Sequence, residues 1–113
     1  MVNSFFLLTE TKLILGITDS ADDTLLNNFG TSANISLEDY IRSFYGDIPF
    51  ETSEVTSDMN YAANYDVCMH YKLRNNNYEA AKEYQKLRDQ TRESIKLSYQ
   101  NNPQKQSSYG VIL

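Results

Sequence analysis

From Leu25 to Phe44 the apolar residues return every three or four positions: Leu25, Leu26, Phe29, Ala33, Leu37, Tyr40, Ile41 and Phe44. That period lays one apolar stripe along a single face of an α-helix, whereas a strand would alternate. A helix so patterned must press its stripe against other elements, and helices are the elements the rest of the chain offers. Gly30 and Ile35 interrupt the stripe. Glycine inside a helix costs about 1 kcal/mol relative to alanine, so a kink or a close helix contact is expected there.

The residues leading into this helix have their own grammar. Thr9 is placed to cap a helix of about two turns with apolar Leu13, Ile14 and Leu15, which Gly16 would end in a left-handed conformation. A helix that short is unstable alone and must lie against something. Ser20 is the next candidate N-cap, with Asp23 at the third helical position. Asp22 and Asp23 then sit where the helix dipole favours negative charge, by about 0.3–1 kcal/mol each.

The second half reads as a helical pair. Ser57 is placed to cap a helix from about Asp58 to Arg74, with Met59, Ala62, Ala63, Val67, Met69 and Leu73 available for burial. Asn75-Asn76-Asn77 is a turn, because asparagine tolerates left-handed backbone and caps the helix that follows. The last helix spans about Tyr78 to Tyr99, with Ala81, Tyr84, Leu87, Thr91 and Ile95 on its apolar side. Its outer side pairs opposite charges three residues apart: Glu79/Lys82, Glu83/Lys86, Asp89/Arg92 and Glu93/Lys96. A short turn makes the two helices antiparallel.

The expected fold is therefore all-α: a small bundle of about four helices, arranged as two helical hairpins, with a long central loop and an extended C-terminal tail. A length of 113 residues suits one domain. Residues 1–103 form that helical domain and 104–113 the tail. No stretch is long enough to cross a membrane, and Phe5-Phe6-Leu7-Leu8, with no basic residue before it, reads as a strand or plug onto the bundle rather than a signal peptide. The single cysteine, Cys68, excludes an internal disulfide and suits a reducing cytoplasm.

Catalysis finds little support. His70 shares a helix face with Asp66, but two ligands do not make a structural zinc site, and the four glycines form no phosphate loop. Paired acids such as Asp22/Asp23 read as capping. No enzyme activity, metal or cofactor is expected. Nucleic-acid binding fares no better, since Lys82, Lys86, Arg88, Arg92 and Lys96 are interleaved with acids in a chain of net charge −5.

The opening third resembles the head–tail connector (adaptor) proteins of tailed bacteriophages. Lys12, the Leu15-Gly16-Ile17 stop, Asp19, Asp22 and Asp23 at the restart, then Leu26, Ala33, Tyr40 and Ile41, follow that family's order and spacing. The resemblance implies a structural virion protein: a homo-oligomeric ring of about twelve copies under the portal, joining the DNA-filled capsid to the tail. Its partners would be the portal protein and a downstream tail or stopper protein. DNA would pass through the lumen without specific binding, and the protein would reside in the host cytoplasm before assembly. The alternative is a small helical interaction or regulatory module with no virion role, and gene position beside portal and capsid genes separates the two.

Within that frame the charge asymmetry gains a second meaning. Residues 1–66 sum to −9 and residues 67–113 to +4. Unlike halves attract within one subunit, and in a ring they also allow head-to-tail packing. Two segments stand out as partner-binding candidates. The loop over residues 46–55 offers Ile48, Phe50 and Val55. The tail turns abruptly apolar at Tyr109-Gly110-Val111-Ile112-Leu113, so Tyr109, Val111, Ile112 and Leu113 suit strand addition or groove filling.

Overall fold

The computed structural model describes residues 4–45 and 55–100. They form four helices: α1 (Leu8–Leu15), α2 (Asp23–Arg42), α3 (Ser57–Arg74) and α4 (Tyr78–Gln100). No strand occurs among the described residues. The all-α expectation holds.

Helix α3 is the hub and packs against each of the other three. Its direction relative to the others follows from side-chain contacts at known positions. Phe29 near the start of α2 stacks on His70 near the end of α3, with ring centroids 5.8 Å apart, so these helices are antiparallel. The three-residue turn at 75–77 folds α4 back on α3, so these two are antiparallel as well, with Tyr65 stacked on Tyr84 at 6.4 Å. Helices α2 and α4 therefore run the same way, joined by long side chains such as Phe44 on Tyr99 at 5.6 Å. Helix α1 lies chiefly on α3 and less on α2.

The core follows the α2 stripe. Leu26, Ala33, Leu37 and Ile41 have no exposed surface and meet Met59, Ala62, Ala63 and Val67 of α3 and Ile95 and Tyr99 of α4. Burying each large aliphatic side chain contributes about 1.5–3 kcal/mol. Phe29, Tyr40 and Phe44 of the same stripe are half-buried and cover the flank of this cluster. Ile35, off the stripe, is exposed. Gly30 makes a close contact with the ring of Phe6, which precedes α1, rather than with another helix.

Several helix ends differ from their sequence reading. Helix α1 starts at Leu8 without a side-chain cap, so Thr9 does not serve as one. Helix α2 starts at Asp23, three residues after Ser20, because Asp19 Oδ1 accepts the Ala21 N–H at 3.0 Å and holds a turn there instead. Helix α3 is capped by Thr56, not Ser57: Thr56 Oγ1 accepts the Met59 N–H at 3.3 Å. At the other ends the reading stands. Gly16 is left-handed at φ 74°, and the Ile17 N–H donates to the Lys12 carbonyl at 2.9 Å, closing a Schellman motif. Asn76, at φ 60°, repeats it, with the Asn77 N–H donating to the Lys72 carbonyl at 2.9 Å. Asn77 Oδ1 then accepts from the Ala80 N–H at 3.2 Å, capping α4.

The first described residues, ahead of α1, act as a plug. Phe5 and Phe6 are buried. Their backbone is held by asparagine side chains: Asn34 Oδ1 accepts from the N–H groups of both Phe5 and Phe6 at 2.9 Å. Asn60 Nδ2 donates to the Phe5 carbonyl at 2.8 Å, and Asn64 Oδ1 accepts the Leu7 N–H at 3.0 Å. Each of these bonds spares a buried backbone group that would otherwise cost about 1–3 kcal/mol.

Candidate interaction surfaces

Of the residues singled out for partner contact, Ile48, Phe50, Tyr109, Val111, Ile112 and Leu113 lie outside the described residues. Val55 is described: it is half-buried and packs against the core cluster.

The described surface offers an apolar face. Leu13 of α1 is 76% exposed. Consecutive Leu13, Ile14 and Leu15 spread over some 200° of a helix, so they cannot all face inward. The inward face belongs to Leu8, Thr11 and Leu15 instead, with Thr11 fully buried. Leu13 and Ile14, with Glu10 and Tyr61 of α3, line a shallow hollow of about 210 Å³. Tyr61 stacks on Tyr65 at 6.0 Å, and Tyr65 in turn on Tyr84 of α4 at 6.4 Å. An aromatic ladder thus runs from the α1 side of α3 across to α4. Burial raises the Tyr84 hydroxyl above its ordinary pKa.

The core-facing side of α4 departs from its sequence reading. Arg88 and Arg92, read as part of a solvated charged side, turn inward. Arg88 donates to Asp66 Oδ1 at 2.7 Å, and Asp66 is nearly inaccessible. Burial pulls the Arg88 pKa down, but its bonds to Asp66 and Asp89 outweigh that and raise it. Arg92 donates to Ser36 Oγ at 2.9 Å and lies over the Tyr40 ring, 5.4 Å from its centre. Burial, aided by the neighbouring Arg88, lowers its pKa. The Tyr40 hydroxyl donates to the Arg92 carbonyl at 3.0 Å, sealing α2 to α4. The cause is position: Ala81, Arg88, Arg92, Ile95 and Tyr99 share the core-facing side at helical spacing, and the other packed helices supply partners. Among the described residues, the four three-apart pairs of α4 form no ion pair.

Two further ties fix the acidic restart. Lys12 Nζ lies 2.8 Å from Asp23 Oδ1, and the Tyr71 hydroxyl donates to Asp22 Oδ2 at 2.6 Å. The bond to Asp22, then burial, raises the Tyr71 pKa. Asp22 and Asp23 therefore anchor α2 to α3 and α1 as well as facing the helix dipole. His70 stands 3.8 Å from Asp66, and no group of three or more possible ligands surrounds a metal position among the described residues. Burial pushes the Cys68 thiol up to about 12. No described helix is long and apolar enough to cross a membrane.

These features form a helical unit whose distinctive chemistry lies in surfaces and internal ties. Comparison with protein families matches residues 6–105 to the phage gp6-like head–tail connector proteins, a span that takes in all four helices. The chain belongs to that family. This connector is accordingly a structural protein of the phage virion, at the junction of head and tail. Comparisons with curated proteins and with solved structures returned no match. In the connector, the Leu15-Gly16-Ile17 stop and Asp22-Asp23 restart do structural work, closing α1 and tying α2 down.

Proposed function

We propose that copies of this connector assemble as a homo-oligomeric ring of about twelve beneath the portal, joining the DNA-filled head to the tail through a downstream tail or stopper protein. The observation that carries this reading is the family match across residues 6–105, the whole helical unit rather than one motif. The long helices form the ring wall. Residues of the central loop, Ile48, Phe50 and Val55, and of the tail, Tyr109, Val111, Ile112 and Leu113, reach the portal, the tail protein or a neighbouring copy. The net charge of −5 supports a conduit rather than a binder, because an acidic lumen repels DNA and lets it slide. With Arg88 and Arg92 turned inward, two of the positive charges of α4 are withdrawn from solvent. Before assembly the subunit resides in the host cytoplasm.

Electron micrographs of the purified connector mixed with its portal test this. Ring density beneath the portal is the expected result. Portal particles without added density, with the connector intact by mass spectrometry, would overturn it.

A further inference from the structure

The hollow at Leu13, Ile14 and Tyr61 and the aromatic ladder that adjoins it together make a trough. Tyr61 and His70 are nine residues apart on α3, which places them on opposite sides of that helix. Since His70 faces Phe29 of α2, Tyr61 and Tyr65 face away from α2 and lie between α1 and α4. Leu13, Ile14 and Tyr61 line the hollow on the α1 side, the Tyr65–Tyr84 stack continues it to α4, and exposed Leu87 follows three residues on. Leu13, Tyr61 and Leu87 are all exposed. The charged groups at the α1 rim have internal partners: Glu10 accepts from Asn64 Nδ2 at 3.2 Å, and Lys12 pairs with Asp23. Such a trough suits an uncharged apolar segment.

The chain contains one of the right composition and reach. Residues 106–113, Gln-Ser-Ser-Tyr-Gly-Val-Ile-Leu, carry no charged side chain. Helix α4 delivers the chain at Gln100, and Tyr84 lies about 24 Å back along that helix. The nine residues from 101 to 109 span up to about 30 Å when extended. Asn101-Asn102-Pro103 supplies turn-forming residues where the direction must reverse. A tethered segment also acts at millimolar effective concentration, so a chain's own tail outcompetes another copy's in dilute solution.

We propose that this trough is the docking site of the chain's own segment 109–113 in the unassembled subunit. The tail covers the Leu13–Tyr61–Tyr84 face until assembly engages it elsewhere. The docking is a property of the free subunit and stands apart from the ring.

The test uses the full chain with p-benzoylphenylalanine in place of Tyr61, as a mixture of heavy-nitrogen and unlabelled protein. After irradiation, mass spectrometry of the peptides should find Tyr61 joined to residues 107–113 of the same isotopic label, with a yield unchanged on dilution. Ile112→Glu, with its circular dichroism unaltered, should cut that yield by about fivefold or more, because a charge would enter an apolar site. Cross-links between labels would assign the trough to another copy's tail and overturn the proposal. So would cross-links to other segments only, or a yield indifferent to Ile112→Glu. Failure to form a ring on the portal would leave this result untouched.

Discussion

Gly30 sits under the Phe6 ring, and a Cβ built there would overlap the ring itself. Two effects of Gly30→Ala oppose each other. Alanine improves helix propensity by about 1 kcal/mol, while overpacking a buried contact costs about 1–3 kcal/mol. Phe6 is itself buried and its backbone is held by Asn34, so the ring has little room to yield, and a net loss of about 1 kcal/mol is expected in urea unfolding. Asn64→Ala should cost more, about 2–4 kcal/mol. It strands the Leu7 N–H and removes the donor to Glu10 from a position with no solvent access. Thermal melts of the two variants check the order. A smaller loss for Asn64→Ala than for Gly30→Ala would mean water replaces the lost partner. The sequence marked Gly30 for a kink or a close helix contact; the partner is instead Phe6, outside any helix, a pairing of residues twenty-four apart. Asn34, Asn60 and Asn64 carried no signal at all, since a polar residue in a helix ordinarily points to solvent.

Helices show the same division between local pattern and partner. The ends formed by Gly16 and by Asn76 were legible because a left-handed residue is a local requirement. The inward turn of Arg88 and Arg92 was not, although the spacing from Ala81 to Ile95 and Tyr99 pointed that way. Charge argued for solvent, and only Asp66 on the neighbouring helix reversed that argument. The energetic consequence is sharp. Arg88→Ala leaves the Asp66 carboxylate buried without its guanidinium and should cost about 3–5 kcal/mol. Lys82→Ala, on the exposed side of the same helix, should change stability by less than about 0.5 kcal/mol. Chemical denaturation of both variants measures the contrast, and equal losses would remove the inner pair from its assigned place.

Across the whole molecule, burial of weakly acidic groups sets how the fold responds to alkali. Cys68 titrates at an ordinary 9.0 in an unfolded chain but is pushed up to about 12 in the folded one. The folded state therefore holds that proton more tightly, so the contribution is complete below pH 9.0 and is lost as pH rises towards 12. Tyr40, Tyr71 and Tyr84, each raised above 10.0, add in the same direction. Urea midpoints measured from neutral pH upward should fall steadily, and less steeply in Cys68→Ala than in the parent chain. In the native protein at neutral pH, Cys68 should resist a thiol reagent until denaturant is added, because it is fully buried.

By itself the sequence determined the helical class, the four segments, the two left-handed stops and the order of motifs shared with head–tail connectors. All of these are local, set by the spacing of apolar residues and by backbone conformations that few residue types adopt. Only the tertiary structure decided which faces met. It made α3 the hub, buried Thr11 while exposing Leu13, turned two arginines inward and aligned Tyr61, Tyr65 and Tyr84. Those outcomes depend on partners distant in the chain, and a helical period fixes a face without saying what will cover it.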